Sequence, residues 1–92
     1  MNLQGKTILI TGGRRVGAHV ARAVAQRGAN VALSYFKSRA TIEALAAEMH
    51  ALGVRSTAIA ADLRQPADAE RLVSQTVAEL GSIDAQIGRA HV

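Results

Sequence analysis

Short unbroken apolar runs alternate along this chain with longer stretches in which apolar residues recur every three or four positions. Lys6 to Thr11 reads Lys-Thr-Ile-Leu-Ile-Thr, a β-rich run without polar alternation, as expected of a strand covered on both faces. Val16, Val20 and Val24 then recur at i, i+4 and i+8 beside Ala21 and Ala25, which predicts a helix running to Arg27 and stopped at Gly28. Asn30 to Phe36 reads as a second strand. Ser38 is placed to cap a helix whose buried face is Ile42, Leu45, Met49 and Leu52, with Gly53 as its stop. Val54 to Ala61 forms a third strand. Pro66 falls at a first helical position with Asp68 and Glu70 in the positive first turn and Leu72, Val73, Thr76, Val77 and Leu80 behind them, before Gly81 ends the helix. Ile83-Asp84-Ala85 opens a fourth strand.

The predicted order is therefore βαβαβαβ. Strands alternating one by one with helices need crossover connections, and these build a parallel, doubly wound α/β sheet. The 92 residues allow one domain, with 49% hydrophobic content too high for a disordered tail. Much of that content is alanine and aromatics supply only 2%, so the core is thin and independent stability marginal.

The absence of cysteine excludes a disulfide scaffold, a thiolate metal site and a cysteine nucleophile together. His19, His50 and His91 have no metal-like spacing. No run approaches the roughly 18 apolar residues of a membrane helix, and the amino terminus lacks the apolar core of an export signal. The expectation is a cytoplasmic protein with no membrane partner. Eleven Lys and Arg against seven Asp and Glu give a net charge of +4, yet only Arg14 and Arg15 are adjacent, so no cationic face for nucleic acid is expected.

Chemistry concentrates in Thr11-Gly12-Gly13-Arg14-Arg15-Val16-Gly17, between the first strand and the first helix. A diphosphate needs backbone N–H groups aimed at it with no Cβ in the way, and a helix amino terminus adds its positive end. Gly12 and Gly13 would allow the tight turn, and Gly17 would let the helix lie close to the strand. There is no Gly-Lys-Ser/Thr, which excludes a P-loop for ATP or GTP.

These residues resemble the short-chain dehydrogenases/reductases, in particular the loop variant Thr-Gly-Gly-Ala-Arg-Arg-Ile-Gly of pteridine-reductase-like and ketoacyl-reductase-like members. Thr11-Gly12-Gly13 matches its beginning and Arg15-Val16-Gly17 its end, in a loop one residue shorter. The resemblance continues through Gly28-Ala29-Asn30-Val31-Ala32, Ala61-Asp62-Leu63 and Gly81-Ser82-Ile83-Asp84, and so covers nearly all of residues 3 to 85. It implies the amino-terminal half of a Rossmann-type dinucleotide-binding domain, from a parent that reduces a small-molecule carbonyl or oxidises an alcohol and assembles as a homo-oligomer.

An NAD site places an acid at the end of the second strand to accept from the ribose 2′-hydroxyl. Here Ser34-Tyr35-Phe36-Lys37-Ser38-Arg39 contains none before Glu43. Arg15, Lys37 and Arg39 would pair with a 2′-phosphate and Ser38 would donate to it, which favours NADP(H) over NAD. By resemblance, Asp62 and Leu63 border the adenine, with Asp62 accepting from its exocyclic amine. Tyr35 sits beside this set but has Arg39, not lysine, four positions on, so it is not the family's catalytic tyrosine.

In that family hydride transfer uses an Asn after the fourth strand, a Ser after the fifth, and a Tyr with a Lys four residues later. None of these is expected within this chain, so no catalytic residue is assigned. Ala85-Gln86-Ile87-Gly88-Arg89-Ala90-His91-Val92 stands where the family has Asn-Asn-Ala-Gly, and Ile87 to Val92 are what ATC-GGA-AGA-GCA-CAC-GTC encodes, a match to a common sequencing-library adapter. Residues 1–85 are accordingly read as the partial dinucleotide-binding domain and 86–92 as a non-native tail. The two other function classes are a non-catalytic NAD(P)-sensing module, which the loop alone would allow, and a basic nucleic-acid-binding domain, which needs a contiguous cationic face.

Overall fold

This computed structural model of the chain describes residues 2–11 and 14–88, with 14–16 described by backbone alone. Gly12 and Gly13 of the predicted phosphate loop, the side chains of Arg14, Arg15 and Val16, and residues 89–92 of the predicted tail lie outside the described residues. Strand β1 is Thr7–Ile10, helix α1 Arg14–Gln26, β2 Asn30–Tyr35, α2 Arg39–Ala51, β3 Ser56–Ala60, α3 Pro66–Leu80 and β4 Ala85–Ile87. The four strands form one parallel sheet in the order β3-β2-β1-β4. The predicted α/β architecture is therefore the observed one.

From β1 the chain steps through β2 to β3 in one direction, then returns across the sheet to β4 on the other side of β1. That reversal puts α1 and α2 on one face and α3 on the other. Ile8, Ile10, Val31 and Leu33 pack with Ala21, Ala25, Ile42, Leu45 and Met49 on the first face. Leu9, Ala32 and Ile59 pack with Leu72 and Leu80 on the second. All four residues of β1 are buried, which explains why its sequence carries no polar alternation.

Helix α1 approaches the sheet on a ridge of small residues. Gly17, Ala21 and Ala25 are buried, whereas Val20 and Val24 are half-buried flanks of the same core. The predicted valine stripe is thus displaced by one position, because a helix lying close over a sheet admits only short side chains beneath its axis. Gly28 turns the chain into β2 at φ +90°, and a Cβ there would stand 3.2 Å from the Gln4 backbone. Only glycine meets both demands without strain.

Several finer expectations are corrected. Leu52 is 48% exposed, since α2 ends at Ala51 and Leu52 leaves the buried face with the turn to Gly53. Ser38 occupies the N-cap position of α2 without a side-chain capping bond. Val73 and Val77 are each 42% exposed, while Leu72, Thr76 and Leu80 face the sheet. This three-residue ridge is enough for one sheet face, and the two valines lie one position round the helix. Strand β3 is shorter than Val54 to Ala61. Strand β4 begins at Ala85, after Ile83 and Asp84, and takes in Gln86 and Ile87, pairing Leu9 with Gln86 and Ile10 with Ile87, because ladder bonds are made by backbone and ask little of side chains.

Candidate functional site

A doubly wound sheet opens a crevice beyond the carboxyl ends of its strands where the strand order reverses, here between β1 and β4. Thr11 follows β1 directly into it. Its side chain is buried, its N–H donates to the Ile87 carbonyl at 2.8 Å, and its hydroxyl donates to the same oxygen at a longer 3.5 Å. Thr11 therefore ties the mouth of the β1–α1 turn to β4. Helix α1 starts at Arg14, so its amino end stands at that mouth, and Gly17 is buried within its first turns.

The rest of the predicted set gathers at the carboxyl ends of β2 and β3. Tyr35 ends β2 half-buried, with its ring on the α1–α2 core. Phe36 and Lys37 follow it exposed, and Ser38 is half-buried. Asp62 and Leu63 follow β3, Asp62 half-buried and Leu63 39% exposed. Arg39 is the first residue of α2 and is turned along the helix, its Nε 3.2 Å from Glu43 Oε2. Of the three predicted phosphate-binding cations, Lys37 remains at the strand ends, Arg39 is paired with Glu43, and the Arg15 side chain lies outside the described residues.

Asp62 is organised from two directions. Its backbone N–H donates to Asp68 Oδ2 at 2.8 Å, while its Oδ1 accepts from the Arg64 N–H at 3.1 Å and from Arg64 Nε at 3.0 Å. Oδ2 accepts from Arg64 Nη2 at 3.0 Å. Hydrogen bonds from the Arg64 side chain, then its backbone, hold the Asp62 carboxyl below the usual carboxylate range despite opposing desolvation. At neutral pH Asp62 is an ionised acceptor with capacity to spare on Oδ2, suited to an amine donor.

Two residues outside the predicted set belong to this cluster. The Arg64 guanidinium carbon stands 5.3 Å from the centre of the Phe36 ring, and Lys37 Nζ 5.6 Å from the same centre. Phe36 is one of only two aromatic residues in the chain, next to Tyr35 at the end of β2, and is 55% exposed. Arg64 carried no signal in the sequence, because its relation to Phe36 arises only when β2 and β3 pair. Among the described residues no group of three or more His, Asp or Glu is placed to hold a metal ion, and no helix is long and apolar enough to cross a membrane.

The comparisons with known proteins agree with this geometry. The sequence profile of the family described as short chain dehydrogenase matches residues 6–91. The chain is 35% identical over 91 residues to L-rhamnose 1-dehydrogenase (NAD(P)(+)) of Sphingomonas sp. (strain SKA58), covering 98% of this chain and 36% of that protein. A short chain dehydrogenase from Burkholderia cenocepacia J2315, solved in complex with NADP, superposes with a TM-score of 0.90 at 38% identity, over 100% of this chain and 38% of that one. A blue fluorescent protein from a metagenomic library, solved in complex with NADPH, gives 0.89 at 36% identity over the same shares. The chain thus spans a little over a third of the length of the relatives it matches. The match of strand order, turn position and sequence over nearly the whole chain places it in the short-chain dehydrogenase/reductase family, as an amino-terminal portion of that fold.

Proposed function

We infer that this chain is the cofactor-binding half of an NADP(H)-dependent oxidoreductase whose full-length parent reduces a small-molecule carbonyl or runs the reverse oxidation. The observation that carries the reading is the charge at the end of β2: Lys37 and Ser38 follow Tyr35, and no carboxylate occurs before Glu43. An acid there would repel a 2′-phosphate, whereas a lysine and a hydroxyl attract and bond it. The NADPH and NADP complexes of the two similar structures support the same choice.

The residues present fit a dinucleotide. The amino end of α1 would take the diphosphate, with Gly12, Gly13, Arg14, Arg15, Val16 and Gly17 forming the turn around it and Thr11 anchoring that turn to β4. Lys37 and Ser38, joined by Arg15, would take the 2′-phosphate. Asp62 would accept from the adenine amine and Leu63 would border the ring, with Tyr35 bracing the strand end beneath. The nicotinamide, when bound, supplies or accepts the hydride. This chain's own part is to bind and orient, and turnover belongs to segments of the parent beyond it, including those through which it would assemble as a homo-oligomer. Residues 86–92 are proposed to come from outside the parent gene; a nucleotide sequence lacking the adapter run at that point disproves this.

Binding of NADPH and NADH to the chain, followed by calorimetry, tests the cofactor assignment. A preference for NADPH of about tenfold or more is expected from one charge-assisted contact to the phosphate. Equal affinities, or a preference for NADH, overturn it.

A further inference from the structure

Arg64, on the connection after β3, lies against Phe36 at the end of β2, the stretch where the sequence expects Arg39 to act. At the carboxyl ends of β2 and β3 the Phe36 ring carries two cations, Arg64 at 5.3 Å and Lys37 at 5.6 Å, with Asp62 as the carboxylate they share the site with. Two like charges are held against one exposed ring beside the Asp62 carboxylate, while the neighbouring Asp68 carboxylate is met by Arg71 at 3.7 Å, which leaves positive charge at the strand ends to attract an anion. Arg64 reaches Asp62 through Nε and Nη2 only, so Nη1 and the second Nη2 hydrogen are left for another acceptor. The guanidinium is thus oriented from one side by the carboxylate and supported on its face by the aromatic, as in preorganised anion sites. Arg39, by contrast, is turned to Glu43 one helical turn along α2.

We propose that Arg64, clamped by Asp62 and carried on Phe36, takes the role expected of Arg39: beside Lys37 and Arg15 it recognises the 2′-phosphate of the adenosine moiety and strengthens the preference for the phosphorylated cofactor. The inference rests on the NADP(H) reading above and deepens it. It names a specificity-determining residue on the β3–α3 connection, which the second-strand pattern does not reach.

The test is a chemical-shift titration of the 92-residue chain with adenosine 2′,5′-bisphosphate and, separately, with 5′-AMP. The two probes share the adenine and the 5′-phosphate and differ only in the 2′-phosphate. In the wild type the bisphosphate binds more tightly. Arg64→Ala is expected to cut that advantage by about tenfold while leaving 5′-AMP within about twofold of its original affinity. Arg39→Ala should leave the advantage within about twofold. The side chain of Arg64 is 77% exposed, so the variant keeps its fold, and an unchanged thermal melt confirms it. An advantage that survives Arg64→Ala, or equal weakening of both probes, overturns the assignment, the latter because it reduces Arg64 to a support for Asp62. A wild type with no advantage for the bisphosphate instead overturns the NADP(H) reading itself, so the two failures are separable.

Discussion

Asp84 joins the two ends of the chain's fold at the level of single atoms. Its Oδ2 accepts from the Thr7 N–H at 2.8 Å and from the Ser82 hydroxyl at 3.2 Å, while its own N–H donates to the Thr7 carbonyl at 2.8 Å. The reciprocal pair anchors the start of β4 to the start of β1, as Thr11 and Ile87 anchor the other end. Donation from the Thr7 backbone is the main reason the Asp84 carboxyl lies below its ordinary range, with Ser82 and Lys6 adding to it against desolvation. A carboxyl with a folded-state pKa below its unfolded value contributes stability above the unfolded value, which is lost as pH falls through the folded one. The thermal midpoint should therefore drop steadily once pH passes below about 4. Asp84→Asn keeps an acceptor for Thr7 but cannot titrate, so its melting temperature at neutral pH should fall only modestly and its acid limb should be shallower than the wild type's. It will not be flat, since Asp62 and Glu48 are also held low by Arg64 and Arg22. Identical acid limbs in the two proteins would show that the Thr7–Asp84 bond has no part in the acid response.

At the scale of elements, α1 shows how closeness of packing is written in small residues. The ridge Gly17, Ala21 and Ala25 lies against the sheet, and Arg22 binds Glu48 to hold α1 beside α2 at the surface. Ala21 is fully buried, so Ala21→Leu must push the helix off the sheet or force a poor rotamer, at a cost of about 1–3 kcal/mol. The same added bulk at Val73→Leu, on the exposed side of α3, should change stability by no more than about 0.5 kcal/mol. Urea midpoints of the two variants check this. Similar losses at both sites would refute the close-packed ridge. The periodicity of α1 and α3 in the sequence marks the helices correctly but not the rotation of each about its axis, because Val and Ala both count as apolar while only the sheet's distance decides which fits beneath.

Across the whole molecule, protection should follow position in the sheet. Strand β1 is paired on both sides and wholly buried, whereas β4 is paired on one side and all three of its residues are exposed. Amide exchange should be slowest in β1 and β2, faster in β3 and fastest in β4. Uniform protection in β1 and β4 would mean that the free edge is covered in solution. The order of strands and helices and the parallel sheet were legible in the sequence alone, since each depends on local periods, glycines and prolines that act within a few residues. The cationic set at the end of β2 was legible only in part. Lys37 and Ser38 are neighbours in sequence of the strand that places them, but Arg64 meets Phe36 across 28 positions, and Arg39 finds Glu43 within its own helix. Local chemistry therefore determined the elements and their order. Only the lateral pairing of β2 with β3 decided which charges share one ring, because distance between strands is a property of the folded sheet and not of the chain.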